Sequence, residues 1–489
     1  MDLRNVLHSD SPTPLYRQLY EQIALKIRNG ELAPGERLPA TRELAGLLGL
    51  NRTTVSAAYE ILESEGMIAG QVGRGSFVTG PAAPAPSGIA WANMFERSSA
   101  TAPSNTGSAA EVISFATSRP SREMFPLDDF RASCQSVLER GDLADILQLG
   151  SPSGYEPLRR YLLEEARRRG LAHEGDDLLI ANGCQQALDL IGRVLLRPGD
   201  AVAVEDPVYP GLKNLLLALG ARLVGIPVTH DGLDVSQLER VLENERPRFI
   251  VVTPNFQNPT GATMPGPARA ALVEAARQSG VPIIENDPYG DLRYLGAPVP
   301  AVKQIDERNG TVLVRSFSKV SFPGLRIGWV LGPKPLLDRL RQAKETADLH
   351  SDQLSQAVLL EFAESGRLEA HRRRVLASGA ERLRTTIEAC RNFLPPGTRW
   401  TEPEGGMNLW VRLPDPLDAG ELLARAQSGG VSYLPARYFM VARQEPGGLR
   451  LSFAGIDPAH IVKGLQILGT VVAAEQAAGQ RLEPVTAMV

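Results

Sequence analysis

Five apolar runs in the middle of the chain are each followed, within a few residues, by side chains able to do chemistry. LLIAN leads to Gly183-Cys184-Gln185-Gln186, AVAVED to Pro207-Val208-Tyr209, and FIVVTPN to Asn258-Pro259-Thr260-Gly261. VPIIEN leads to Asp287 and Tyr289, and VLVRSF to Ser318 and Lys319. In open α/β sheets ligands collect beyond the carboxyl ends of the strands. If the five runs are neighbouring strands, their ends supply one crevice. It would hold a phosphate cradle of free backbone N–H groups at a helix start, an aromatic face, an amide, a carboxylate with a phenol, and an amine.

That inventory matches the needs of pyridoxal phosphate. Its aldehyde forms a Schiff base with a lysine, and its ring is an electron sink only while the ring nitrogen is protonated, so a carboxylate must pair with that nitrogen. Lys319 takes the first role and Asp287 the second. Tyr289 and Asn258 would hydrogen-bond the ring oxygen, and Tyr209 would stack on the ring. Gly183, Cys184 and Gln185 at the helix start, with Ser316, Ser318 and the forked Arg326, would hold the phosphate. Cys184 itself reads as a small packing residue rather than a reactive thiol. Arg450, in LRLSFAG, would pair with a substrate carboxylate. No Gly-x-Gly-x-x-Gly follows a strand and opens a helix, which weighs against a nicotinamide dehydrogenase.

The elements that must position these residues follow from the alternation of near-continuous apolar strands with helical stretches. That pattern predicts a mostly parallel sheet covered on both faces. The last hundred or so residues switch to scattered strands (NLWVRL, LRLSFA) and helices, a smaller α+β lobe. At 489 residues the chain is too long for one core. The stretch 81–110, rich in Pro, Ala, Ser and Thr, reads as a linker. Within it Trp91, Met94 and Phe95 stand at helical spacing. The predicted order is a head over 1–80, the linker, a large domain over 111–475 and a tail over 476–489.

In the head, Leu15, Leu19, Ile23 and Ile27 form one helical stripe. TRELAGLLG reads as a second helix stopped at Gly49, and a third starts at Asn51 with Val55, Tyr59 and Leu62 inward. MIAGQVGRGSFV reads as a hairpin around Gly73-Arg74-Gly75. Three helices and a hairpin make a winged helix-turn-helix, whose third helix lies in the major groove of double-stranded operator DNA. Asn51, Arg52, Thr53 and Thr54 would meet the base edges, with Arg42 and the wing-tip Arg74 on the same face. Net charge is −4, and residues 1–80 hold eight Lys/Arg against nine Asp/Glu, so the case rests on where the charges sit. Glu60, Glu63 and Glu65 fall at the far end of the helix.

Cys134, Cys184 and Cys390 are few and scattered, which disfavours disulfides and a zinc cluster and suits a reducing cytoplasm. No apolar run approaches a membrane span, and the first residues lack a secretory signal.

The run from Pro14 to Val78 resembles the GntR-type winged helix. SFSKVSFPGLRIGW, NPTGATMP, NDPYGDLRY and LRLSFAG resemble the motifs of fold-type-I (class I/II) aminotransferases. A GntR-type head joined to such a domain is similar to the MocR-type regulators. The resemblance implies a head-to-tail homodimer in which pyridoxal phosphate and an amino acid or amine control transcription. Two departures touch the substrate side. Leu149-Gly150-Ser151-Pro152-Ser153-Gly154-Tyr155 stands where the family has Tyr-Gly-Asp-Pro-x-Gly-Tyr, and Ser118-Arg119-Pro120 stands where it has Gly-x-Pro. A working aminotransferase carrying a DNA-binding head is the alternative, because sensing and transamination share their first half-reaction.

Overall fold

The computed structural model describes residues 13–71, 75–79 and 112–480. Arg74, the stretch 81–110 with Trp91, Met94 and Phe95, and residues 481–489 lie outside the described residues. The chain divides into two compact units at Thr101.

The first unit packs α1 (Leu15–Arg28), α2 (Thr41–Leu48) and α3 (Arg52–Ser64) beside the hairpin β1 (Ile68–Gln71) and β2 (Gly75–Val78). Leu19, Ile23, Leu44, Val55, Tyr59 and Leu62 bury together, as the 3.6-residue spacing requires. α2 stops at Gly49, whose left-handed φ of 67° suits a residue without a Cβ. Asn51 caps α3, its side chain accepting from Thr53 N at 3.1 Å.

In the second unit a short strand, β3 (Ile113–Ser114), precedes an eight-stranded sheet. Its members are β4 (Asp176–Ala181), β5 (Ala201–Asp206), β6 (Arg222–Thr229), β7 (Gly232–Leu233), β8 (Ile250–Val252), β9 (Ile283–Asn286), β10 (Thr311–Ser316) and β11 (Gly328–Pro333). The order is β4-β11-β10-β9-β8-β5-β6-β7. β6, β5, β8, β9 and β10 are mutually parallel, and β11 runs against both β10 and β4. One face of the sheet carries a single apolar cluster and the other face two. β6 and β11 were not foreseen as strands. Gly225 and Pro227 in the first, and Gly328, Gly332 and Pro333 in the second, break up the apolar run that marks a strand.

The smaller lobe holds β12 (Arg399–Trp400), β13 (Asn408–Arg412), β14 (Val431–Ser432), β15 (Leu434–Pro435) and β16 (Gly448–Ser452). Its sheet runs β12-β13-β16-β15, while β14 pairs with β3. This extends the expectation of a purely C-terminal lobe. Ile113 and Phe115, from the start of the domain, bury in the same core as Leu409, Leu451 and Ile461. Among the described residues no helix is long and apolar enough to cross a membrane.

Candidate functional site

β4, β5, β8, β9 and β10 all point the same way, so their carboxyl ends open on one edge of the sheet. Lys319 sits in the single turn Phe317–Lys319 just past β10. Its Nζ donates to the Ser118 carbonyl at 2.9 Å and lies 5.7 Å from the centroid of the Tyr289 ring. Asn258 Nδ2 donates to the Tyr289 hydroxyl at 3.2 Å, and Asn258 Oδ1 accepts from Arg450 at 3.0 Å. A second Arg450 nitrogen donates to the Ala116 carbonyl, and the guanidinium lies 5.1 Å from the Phe439 ring centroid. Amine, phenol, amide and guanidinium, far apart in sequence, are thus one connected set.

Asp287 stands next to them and is 2% exposed. Its Oδ1 accepts from Asn255 at 2.9 Å and its Oδ2 from Arg315 at 2.6 Å. Asn255 is held in turn by Arg269 at 2.7 Å, and the other Arg269 donors reach the Met264, Pro254 and Pro300 carbonyls. Sequence reasoning missed Asn255, Arg269 and Arg315. Arg315 carried a signal, since it is the ionisable residue inside the run VLVRSF. Arg269 carried none, because in PARAALVEAARQ it looks like any solvated helix residue.

Burial governs the electrostatics. It lowers the Lys319 amine to about 8, with Arg450 adding to the effect. Roughly a tenth of the amine is then neutral at pH 7, against about one part in three thousand at an ordinary 10.5. Burial also lowers Arg450 to about 10 and pushes the Cys184 thiol up to about 12. Cys184 therefore stays a thiol, partly buried against the sheet core. Tyr289 and Tyr209 are both raised, again by burial. Glu285 is raised by burial first and by the Asp287 charge second.

At the start of the helix that follows β4, Gly183 lies directly under the Arg326 guanidinium. Gly183 has φ +80°, and a Cβ there would come 2.7 Å from an Arg326 nitrogen. That Arg326 nitrogen donates to the Asn182 carbonyl at 3.1 Å, and the Ser316 and Ser318 hydroxyls are 2.9 Å apart. The helix Gly183–Leu195 begins here without a side-chain cap, so its first N–H groups face this end. The Gln185 amide is turned elsewhere, donating to the Gly211 carbonyl at 3.1 Å. Tyr209 is 40% exposed, and its charge environment includes Tyr289, Arg450 and Arg326. Of the two departures, Leu149 is 74% exposed, and Ser118 lends its carbonyl to Lys319.

In the head, Arg42, Asn51, Arg52 and Thr53 are exposed and Thr54 is half-buried at the start of α3. Arg37, which sequence reasoning did not single out, lies beside the wing. Its guanidinium would stand 3.1 Å from a Cβ at Gly75.

Fold and site together define an open α/β protein with an amine-centred crevice, carrying a separate winged-helix unit. The chain belongs to the aminotransferase class I and II family, which it matches over residues 111–468. Residues 15–78 match the gntR family of bacterial regulatory proteins. The chain is 31% identical to the probable rhizopine catabolism regulatory protein MocR of Rhizobium meliloti over 97% of both chains. This is the MocR-type arrangement. Among solved structures, the multiple substrate aminotransferase of Thermococcus profundus superposes with a TM-score of 0.76 at 31% identity. It covers 80% of this chain and 100% of its own. The α-aminoadipate aminotransferase LysN of Thermus thermophilus, complexed with N-(5'-phosphopyridoxyl)-L-leucine, gives 0.70 at 34% identity, covering 75% and 93%.

The family implies pyridoxal phosphate, and the residues present fit it. The Arg326 guanidinium lies so close over Gly183 that any side chain there would displace it, and Arg450 Nε is buried without a protein partner. A phosphate-sized anion and a carboxylate are what such donors lack.

Proposed function

We propose that this protein is a transcription regulator whose head binds operator DNA and whose second domain holds pyridoxal phosphate to sense an amino acid or amine. The observation that carries the reading is a buried lysine amine, in contact with Tyr289 and linked through it to Asn258 and Arg450, in the same chain as a GntR-type head. When bound, the cofactor supplies an aldehyde for amines and a ring that withdraws electrons.

The chain's own residues would do the rest. Lys319 would hold the cofactor through its amine, the group with which a ligand amine would compete. Asp287 keeps a proton on the ring nitrogen. Asn258 and Tyr289 orient the ring oxygen, and Tyr209 covers the ring. Gly183, Cys184, Ser316, Ser318 and Arg326 retain the phosphate, and Arg450 grips the ligand carboxylate. Arg42, Asn51, Arg52, Thr53 and Thr54 read DNA, with Arg74 at the wing. The signal reaches DNA only if one arrangement of the heads binds the operator better than the other.

The reading includes a head-to-tail homodimer acting in the cytoplasm. Leu147 and Leu149 are exposed near Gln353, and Leu349 is exposed a few residues before it. A second copy covering them would remove apolar surface from water. Head, linker and large domain are taken as 1–80, 81–110 and 111–475.

The test is operator binding by cofactor-loaded protein, using DNA from its own upstream region, with and without an amino-acid panel. An affinity that changes with one ligand supports sensing. A second reading, a working aminotransferase, is favoured by the intact Lys319–Arg450 set. Multiple turnovers at about 1–1000 per second with an amino acid and a keto acid would establish it.

A further inference from the structure

β13 and β16 pair with Asn408 opposite Ser452 and Trp410 opposite Arg450. Residues directly opposite in an antiparallel pair share a face. Leu409, Val411, Leu449 and Leu451 turn into the core of the small lobe, so Asn408, Trp410, Arg450 and Ser452 turn the other way. On that face Arg450 reaches Asn258 and the Ala116 carbonyl, which places it on the Lys319 side of the lobe.

Asn408 is 1% exposed, and neither its amide oxygen nor its amide nitrogen has a hydrogen-bond partner. Arg450 Nε on the neighbouring strand is also unpartnered. Ser452, by contrast, is closed onto the Met407 carbonyl at 3.2 Å. Buried polar atoms are almost always paired, so an amide with both ends open next to a carboxylate-seeking arginine is a site whose ligand brings the partners.

We propose that Asn408 is a specificity-determining residue that reads the side chain of the amino acid whose carboxylate Arg450 holds. It selects a terminal carboxamide or ureido group. Such a group offers an acceptor to Nδ2 and a donor to Oδ1, satisfying both. An apolar side chain leaves both atoms desolvated and unpaired. A carboxylate satisfies Nδ2 and sets two acceptors against each other at Oδ1. This inference rests on the amine-sensing reading above.

The experiment uses the full chain loaded with pyridoxal phosphate and reads ligand binding from the change in cofactor absorbance. L-Glutamine and L-citrulline are compared with L-glutamate and the apolar isosteres L-norleucine and L-methionine. The expected result is a preference of roughly 10- to 100-fold for the carboxamide or ureido ligands, the size of a buried hydrogen bond made or lost. Asn408→Leu should erase or reverse that preference. A wild-type protein that binds norleucine as tightly as glutamine overturns the proposal without any variant. So does a carboxamide preference that persists in Asn408→Leu. A protein that takes up no cofactor overturns the sensing reading together with it, whereas cofactor uptake with indifferent selectivity overturns the role of Asn408 alone.

Discussion

The two units of this chain keep the side chains proposed to function in opposite surroundings. In the head, Arg42, Asn51, Arg52 and Thr53 stand in solvent on a small core that does not involve them. In the large domain, Asp287, Asn258, Tyr289 and Arg450 are at most 5% exposed; Asn258 holds Tyr289 and Arg450, and Asn255 and Arg315 hold Asp287. A DNA reader must present donors to a partner arriving from water, so these side chains can be removed with little effect on stability, except Asn51, which also caps α3. A crevice that tunes an amine must exclude water, so its function and its stability are coupled through the same buried charges.

The largest expected effect tests the buried side. Lys319→Ala should abolish the yellow absorbance of cofactor-loaded protein; a variant that stays yellow after dialysis would remove Lys319 from its role. Next, Asp287→Ala leaves Arg315 and Asn255 facing a void. It should destabilise even the cofactor-free protein by about 3–5 kcal/mol, because buried Arg315 loses its close partner and keeps only Asp291 at 3.9 Å. Urea melts at equal slope would measure this, and a loss under about 1 kcal/mol would mean the pair is solvated after all.

The head should behave otherwise. Arg52→Ala should cost about 1–3 kcal/mol of specific DNA binding while moving stability by no more than about 0.5 kcal/mol. Equal weakening on all DNA sequences would make Arg52 a phosphate contact, and a large drop in melting temperature would break the contrast between the units. The mildest effect is one of pH. The folded amine of Lys319 is lowered to about 8, and the neutral form attacks the aldehyde. The rate of cofactor uptake should therefore fall about tenfold per unit as pH drops below about 8 and level off above it. A profile still climbing toward pH 10 would indicate an amine in water rather than in the crevice.

Much of this was legible in the residues. Periodicity located the head's helices, because a stripe such as Leu19, Ile23 and Ile27 can bury only on one side of a helix. The apolar runs located five strands, and the residues after each of them converged as strand direction requires. Strands β6 and β11 were not legible, since glycine and proline disguise them locally and only their sheet neighbours make them strands. Arg269 and Asn255 were invisible for a related reason. An arginine in a helix or an asparagine after a strand becomes a support for Asp287 only when another element lies on top of it.

By itself, then, the sequence determined which side chains are available, the order of elements that carries them, and the chemistry they can perform as types. Those are local properties, set by spacing and by functional groups. Tertiary structure alone decided which groups lost their water: that Lys319 lies against Tyr289, that Arg315 closes on Asp287, and that Asn408 is left with both amide atoms open. Desolvation depends on everything packed around a group, and that environment comes from residues hundreds of positions away.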